Sequence, residues 1–127
     1  MNRSSSIIGL LVFAALNAAY AQGPPPADGA QLVEVVGCLS QTGSNWILAK
    51  ATDPAPATTT FTTPEAIKAA GEKPLGTQQY RLLGTNPFSP AAHKGHKMAA
   101  RGLLIKSGSE SRINLTSFQM LAAACGK

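Results

Sequence analysis

The chain has 127 residues, 11 lysines or arginines against 6 aspartates or glutamates, and a net charge of +5. That length holds one small domain and excludes two lobes around a deep cleft. The charge is uneven: residues 22–80 carry Lys50, Lys68 and Lys73 against five acids, whereas residues 81–127 carry seven cations against Glu110 alone. Such a split predicts one basic face and an anionic partner.

The chain opens with Arg3, an apolar run from Ile7 to Ala19 and the small-x-small triplet Ala19-Tyr20-Ala21. Charge, apolar stretch and cleavage site in that order predict a secretory signal peptide over residues 1–21. The run is shorter than the roughly 20 apolar residues of a membrane span, so no stable membrane insertion is expected after cleavage. Residues 22–30 are Pro/Gly-rich and read as a disordered leader. Val35-Val36-Gly37-Cys38 has the shape of a lipoprotein processing site. However, Pro24-Pro25-Pro26 separates it from the apolar run, and the Glu34 carboxylate would be costly in lipid. Cys38 therefore belongs to the folded domain, residues 31–127. Two cysteines in an exported chain predict a Cys38–Cys125 disulfide and a periplasmic or secreted protein.

Five β-leaning runs follow. Leu32–Leu39 alternates, with Val33, Val35, Gly37 and Leu39 on one face. Gln41–Asn45 reads as a turn and Trp46–Ala51 as the returning strand of a hairpin. Residues 52–78 form an insert. It begins as a Pro/Thr/Ala-rich loop and continues as a short helix over Pro64–Gly71, with Thr63 as N-cap, Pro64 in the first turn and Gly71 as the stop. The third strand, Gln79–Gly84, puts Tyr80 and Leu82 on one side and Arg81 on the other. Asn86–Lys97 is a loop with one helical turn. The fourth strand is Met98–Lys106. The fifth is Arg112–Leu121, whose apolar phase shifts between Leu115 and Phe118 and so predicts a β-bulge. Trp46, Tyr80 and Phe118 lie on the apolar phase of their strands, which assigns them to the core rather than to a stacking platform for bases or sugars. The layout predicts an all-β fold: a small five-stranded OB-fold-like barrel, with a short helix in an insert between strands two and three. Other small β-barrels and sandwiches share this strand count, and strand order is not read from one sequence.

The series Val36-Gly37-Cys38-Leu39, Trp46-x-Leu48, Tyr80-x-Leu82-x-Gly84, His93-Lys94-Gly95-His96-Lys97 and a closing Cys125 resembles a group of short exported bacterial proteins with an OB-fold-like domain. The likeness covers residues 32–125 apart from the insert. It implies that fold and a bacterial envelope setting, and it implies no catalytic residue. The insert departs from the group's pattern and bears on any ligand surface formed by the second and third strands.

No Ser/His/Asp grouping, Gly-rich phosphate loop or carboxylate pair stands out, so neither an enzyme nor a cofactor is expected. Lys94, Lys97, Arg101, Lys106 and Arg112 are the candidate ligand-binding residues. Lys97 and Arg101, four apart on a regular strand, share a face that suits phosphate or carboxylate groups. The competing expectation is a solvated strand face. Under the binding reading, reversing Lys97 and Arg101 to Glu should weaken binding to an anionic polymer without unfolding the domain, because exposed charges contribute little to stability. His93 and His96 lack an evident third metal ligand, and their loop reads as a solvated turn with Gly95 in a backbone conformation other residues avoid. The leading functional reading is an exported, non-catalytic binding module with a basic barrel face, recognising an anionic ligand or envelope polymer. The alternatives are a structural protein whose sheet edge pairs with an envelope protein and, behind it, a metal-handling protein using the two histidines. Charge-driven binding weakens steeply with salt, whereas edge pairing changes little.

Overall fold

The computed structural model describes residues 30–126; the expected signal peptide (1–21) and all but the last residue of the leader (22–30) lie outside the described residues. Six strands follow in chain order: β1 (Gln31–Thr42), β2 (Asn45–Ala51), β3 (Ala55–Pro56), β4 (Gln78–Leu83), β5 (Lys97–Ser107) and β6 (Glu110–Ala122). One helix, α1 (Pro64–Gly71), lies between β3 and β4. The expected strands are all present, most of them a residue or more longer than the apolar pattern alone indicates. Thr42 and Asn45 face each other in the ladder, so the first turn shrinks from the expected Gln41–Asn45 to Gly43-Ser44. Gly108-Ser109 joins β5 to β6 in the same way.

Pairing runs β2-β4-β6-β5-β1, and β1 pairs again with β2, so five strands form a ring. All ring pairings are antiparallel except the parallel pair β4–β6. The fold is thus mainly β, as expected.

The long β1 closes the ring by serving two partners. Its first part pairs with β5 from Gln31↔Leu104 to Cys38↔Lys97, and its end pairs with β2 from Cys38↔Ala49 to Thr42↔Asn45. Gly37 sits at this handover. A Cβ there would stand 2.8 Å from Leu48 Cγ and 2.9 Å from the Ala49 carbonyl oxygen. The close approach of β1 and β2 therefore requires glycine.

Each ring strand sends apolar side chains inward, among them Val35, Leu48, Leu82, Met98 and Ile113. Each such side chain contributes about 1.5–3 kcal/mol when buried. Tyr80 and Phe118 are buried with them and Trp46 packs half-buried against them, as the alternation expects. The phase shift in β6 is a bulge. Arg101 faces Ser117 and Gly102 faces Leu115, so Thr116 is the extra residue, and Leu115 and Phe118 both turn inward.

The insert is more ordered than its composition suggests. Ala55 and Pro56 form β3 along Glu34 and Val33 of β1, with proline at a sheet edge where it withholds no central ladder bond. Thr63 caps α1 by accepting from the Ala66 N–H at 3.1 Å, as expected. Gly71, expected as the stop, is instead the last helical residue, and Glu72 caps the end with right-handed backbone. The last turn tightens: the Glu72 N–H reaches the Ala69 carbonyl and the Lys73 N–H the Ala70 carbonyl, so no left-handed residue is needed. Ala70 then packs with Val36, Ala99 and Leu121 in a second apolar cluster. The later loop holds two 3-10 turns, Asn86–Phe88 and Pro90–His93, rather than one.

Cys38 and Cys125 form the expected disulfide, 87 residues apart in sequence, with their Cα atoms 5.5 Å apart. A bridge of this kind persists outside the reducing cytoplasm. It also leaves the Cys38 sulfur unavailable for acylation. Among the described residues no helix is long and apolar enough to cross a membrane.

Candidate functional site

Lys97 and Arg101 share one face of β5, as the spacing expects, but that face is not solvated. Lys97 Nζ donates to the carbonyls of Gly71, the last residue of α1, at 3.2 Å and of Lys73 at 2.8 Å. Arg101 Nε donates to Glu34 Oε2 at 2.8 Å. Its Nη1 donates to Thr59 O, Thr59 Oγ1 and Phe61 O. On β6, the Thr116 hydroxyl donates to the Thr60 carbonyl at 2.8 Å. The insert therefore lies over the outward faces of β1, β5 and β6, and two of the five candidate cations hold it there. The Arg101 and Glu34 side chains are only 12% and 10% exposed, which removes the premise that Arg101 can be reversed without cost to the fold.

The other three candidates are placed differently. Lys94 is exposed in its loop, and Lys106 is exposed near the end of β5, opposite Ser111. Arg112 donates to Glu110 Oε2 through Nε at 3.0 Å and Nη2 at 2.8 Å. Arg81, which the alternation turned outward but did not mark as a site residue, stands 3.7 Å from the other oxygen of Glu110. Arg81 and Arg112 are register partners on the parallel strands β4 and β6. The hydrogen bonds from Arg112, with the charges of Arg112 and Arg81 behind them, hold the Glu110 carboxyl below its usual range.

Beside this cluster runs an open groove of about 260 Å³, lined by Ile47, Gln79, Arg81, Ser109, Glu110 and Ser111. Ile47 and Arg81 are register partners on β2 and β4, so the groove floor is the outward face of those strands, and the β5–β6 turn forms its wall. The insert's helix and Thr-rich loop pack against β5 and β6 elsewhere, and none of their residues lines this groove. A smaller cavity of about 150 Å³ opens nearby between Asp53, Gln78, Tyr80, Leu104, Lys106 and Ser111. There the Tyr80 hydroxyl donates to the Thr52 carbonyl at 3.1 Å. Burial, assisted by the charge of Asp53, raises the Tyr80 pKa above 10.0.

His93 and His96 face each other across their turn with Nδ1 atoms 3.4 Å apart. The edge of the His93–Phe118 pair is T-shaped at 6.3 Å between ring centroids. Gly95 has φ +83°, the left-handed conformation expected of it. Among the described residues no group of three or more His, Cys, Asp or Glu side chains converges.

No protein-family model matches this chain, and no curated protein matches it.

Proposed function

We propose that this chain is an exported, non-catalytic binding module with an OB-fold that takes an anionic polymer of the bacterial envelope on the outward face of β2 and β4. Support for the fold comes from the five-strand ring, with its irregular connection between β4 and β5. In OB-folds the second and third strands, with the first and last hairpin loops, form the ligand surface. Their counterparts here are β2, β4 and the two Gly-Ser turns. Support for an extracytoplasmic setting comes from the disulfide and from the secretory pattern of residues 1–21.

One observation carries the ligand class: Arg81 and Arg112 stand side by side about a single carboxylate at the rim of an open groove. Two guanidinium groups against one carboxylate leave a net positive charge, and Lys106 adds another beyond Ser111. Forked guanidinium donors suit phosphate and carboxylate oxygens, and the hydroxyls of Ser109 and Ser111 can add hydrogen bonds. The basic surface of this reading is thus Arg81, Lys106 and Arg112, with Lys97 and Arg101 assigned to the insert. Sheet-edge pairing is less favoured, because each of the five ring strands has two neighbours and the edge strand among the described residues, β3, is two residues long and contains Pro56.

Retention on heparin and binding to single-stranded DNA at low salt test the reading. The folded Arg81→Ala/Lys106→Ala variant should elute at lower salt than wild type. The slope of log affinity against log salt should fall by about one per lost phosphate contact. Lys94→Ala should behave nearly as wild type. Unchanged retention of the folded double variant would show the groove rim to be solvated surface only.

A further inference from the structure

We propose that His93 and His96 form a two-imidazole chelate for a divalent transition cation, zinc in the first instance. Their Nδ1 atoms are 3.4 Å apart. Two nitrogens each about 2.0–2.1 Å from a shared ion subtend about 110° at that separation, close to the tetrahedral angle zinc adopts. The pair is held ready by the backbone. The Gly95 N–H donates to the Leu39 carbonyl at 2.8 Å, the His96 carbonyl accepts from the Leu39 N–H at 3.1 Å, and the His96 N–H donates to the His93 carbonyl at 2.9 Å. Gly95 turns the chain so that residues three apart converge, and Phe118 flanks the His93 ring. Of the neighbouring cations, Lys97 has its ammonium bound to the Gly71 and Lys73 carbonyls at the end of α1, whereas Lys94 is exposed. No third protein ligand converges among the described residues, so water or a ligand from solution completes the coordination and affinity is moderate. Copper(II) should bind the same pair more tightly, following the general order of divalent-ion affinities. This site shares no residue with the groove, so the two readings stand or fall separately.

The experiment is a zinc titration of the intact, oxidised protein, followed by calorimetry and by imidazole nitrogen resonances. A saturable one-to-one event that moves both Nδ1 resonances is expected. His93→Gln and His96→Gln should each weaken it at least about tenfold, since losing a ligand costs no less than losing an outer-shell partner of one. The same separation could instead hold only an N–H···N bond between the rings. In that case zinc would not saturate, or the folded double variant would bind as wild type does, and either result overturns the chelate. Should a variant fail to fold, the wild-type resonances still decide: shifts confined to Nε2, or none, also overturn it.

Discussion

Tyr80 brings a hydroxyl into the edge of an apolar interior and satisfies it on the Thr52 carbonyl. Its pKa is raised in the folded protein, first by burial and then by Asp53. The folded state therefore keeps a proton that the unfolded chain releases near pH ~10. Stability from this group is full below that pH and is lost as pH rises through the raised value. Comparing urea unfolding at about pH 9 and about pH 11 for wild type and Tyr80→Phe isolates the effect from the lysines, which titrate in both. The Phe variant should lose about 1 kcal/mol at the lower pH through the missing hydrogen bond. It should then fall less than wild type on going to the higher pH. Equal losses in the two proteins would mean that Tyr80 ionises freely.

The insert is the element whose placement changes the functional picture most. It is clamped by Arg101 and Lys97 through main-chain carbonyls, with Glu34 beneath the guanidinium. Arg101→Ala strands Glu34 with a tenth of its side chain exposed, and should cost about 3 kcal/mol in urea unfolding, the range for a broken buried pair. A loss under about 0.5 kcal/mol, usual for surface substitutions, would contradict the clamp. Combining it with Glu34→Ala should cost less than the sum of the two single losses, because the partners share one interaction. The sequence made half of this arrangement readable. Strand alternation put residues 97 and 101 on one outward face, and the break between Leu115 and Phe118 announced the bulge. What receives the two cations was hidden, because the acceptors are carbonyls that every residue carries. Arg81 went unnoticed for a related reason: alternation turned it outward, but only the register of β4 on β6, set by distant pairings, sets it beside Arg112.

For the whole molecule, the five strands were legible from local pattern, whereas their ring order was not, since it rests on contacts such as Gln31↔Leu104 between distant segments. The disulfide ties β1 to the segment that follows β6. Cys125→Ser should lower stability by about 4 kcal/mol if the bridge acts by restricting the unfolded chain. Denaturant melts of oxidised wild type and the variant measure this; a difference near zero would place the restraint elsewhere. The bridge also lies where three strands meet, because Cys38 faces Lys97 on β5 and Lys97 faces Ala122 on β6, three residues before Cys125. In the folded chain, sulfur thus meets sulfur where β1 is joined to β5 and β5 to β6. A slip of one residue in the β1–β5 pairing displaces the Cys38 thiol by about 3.4 Å and turns it to the opposite face, beyond the reach of so short a link. The bridge therefore favours one alignment of β1 on β5: oxidation should lock chains with that register, whereas chains slipped by one residue should keep their thiols and remain free to rearrange.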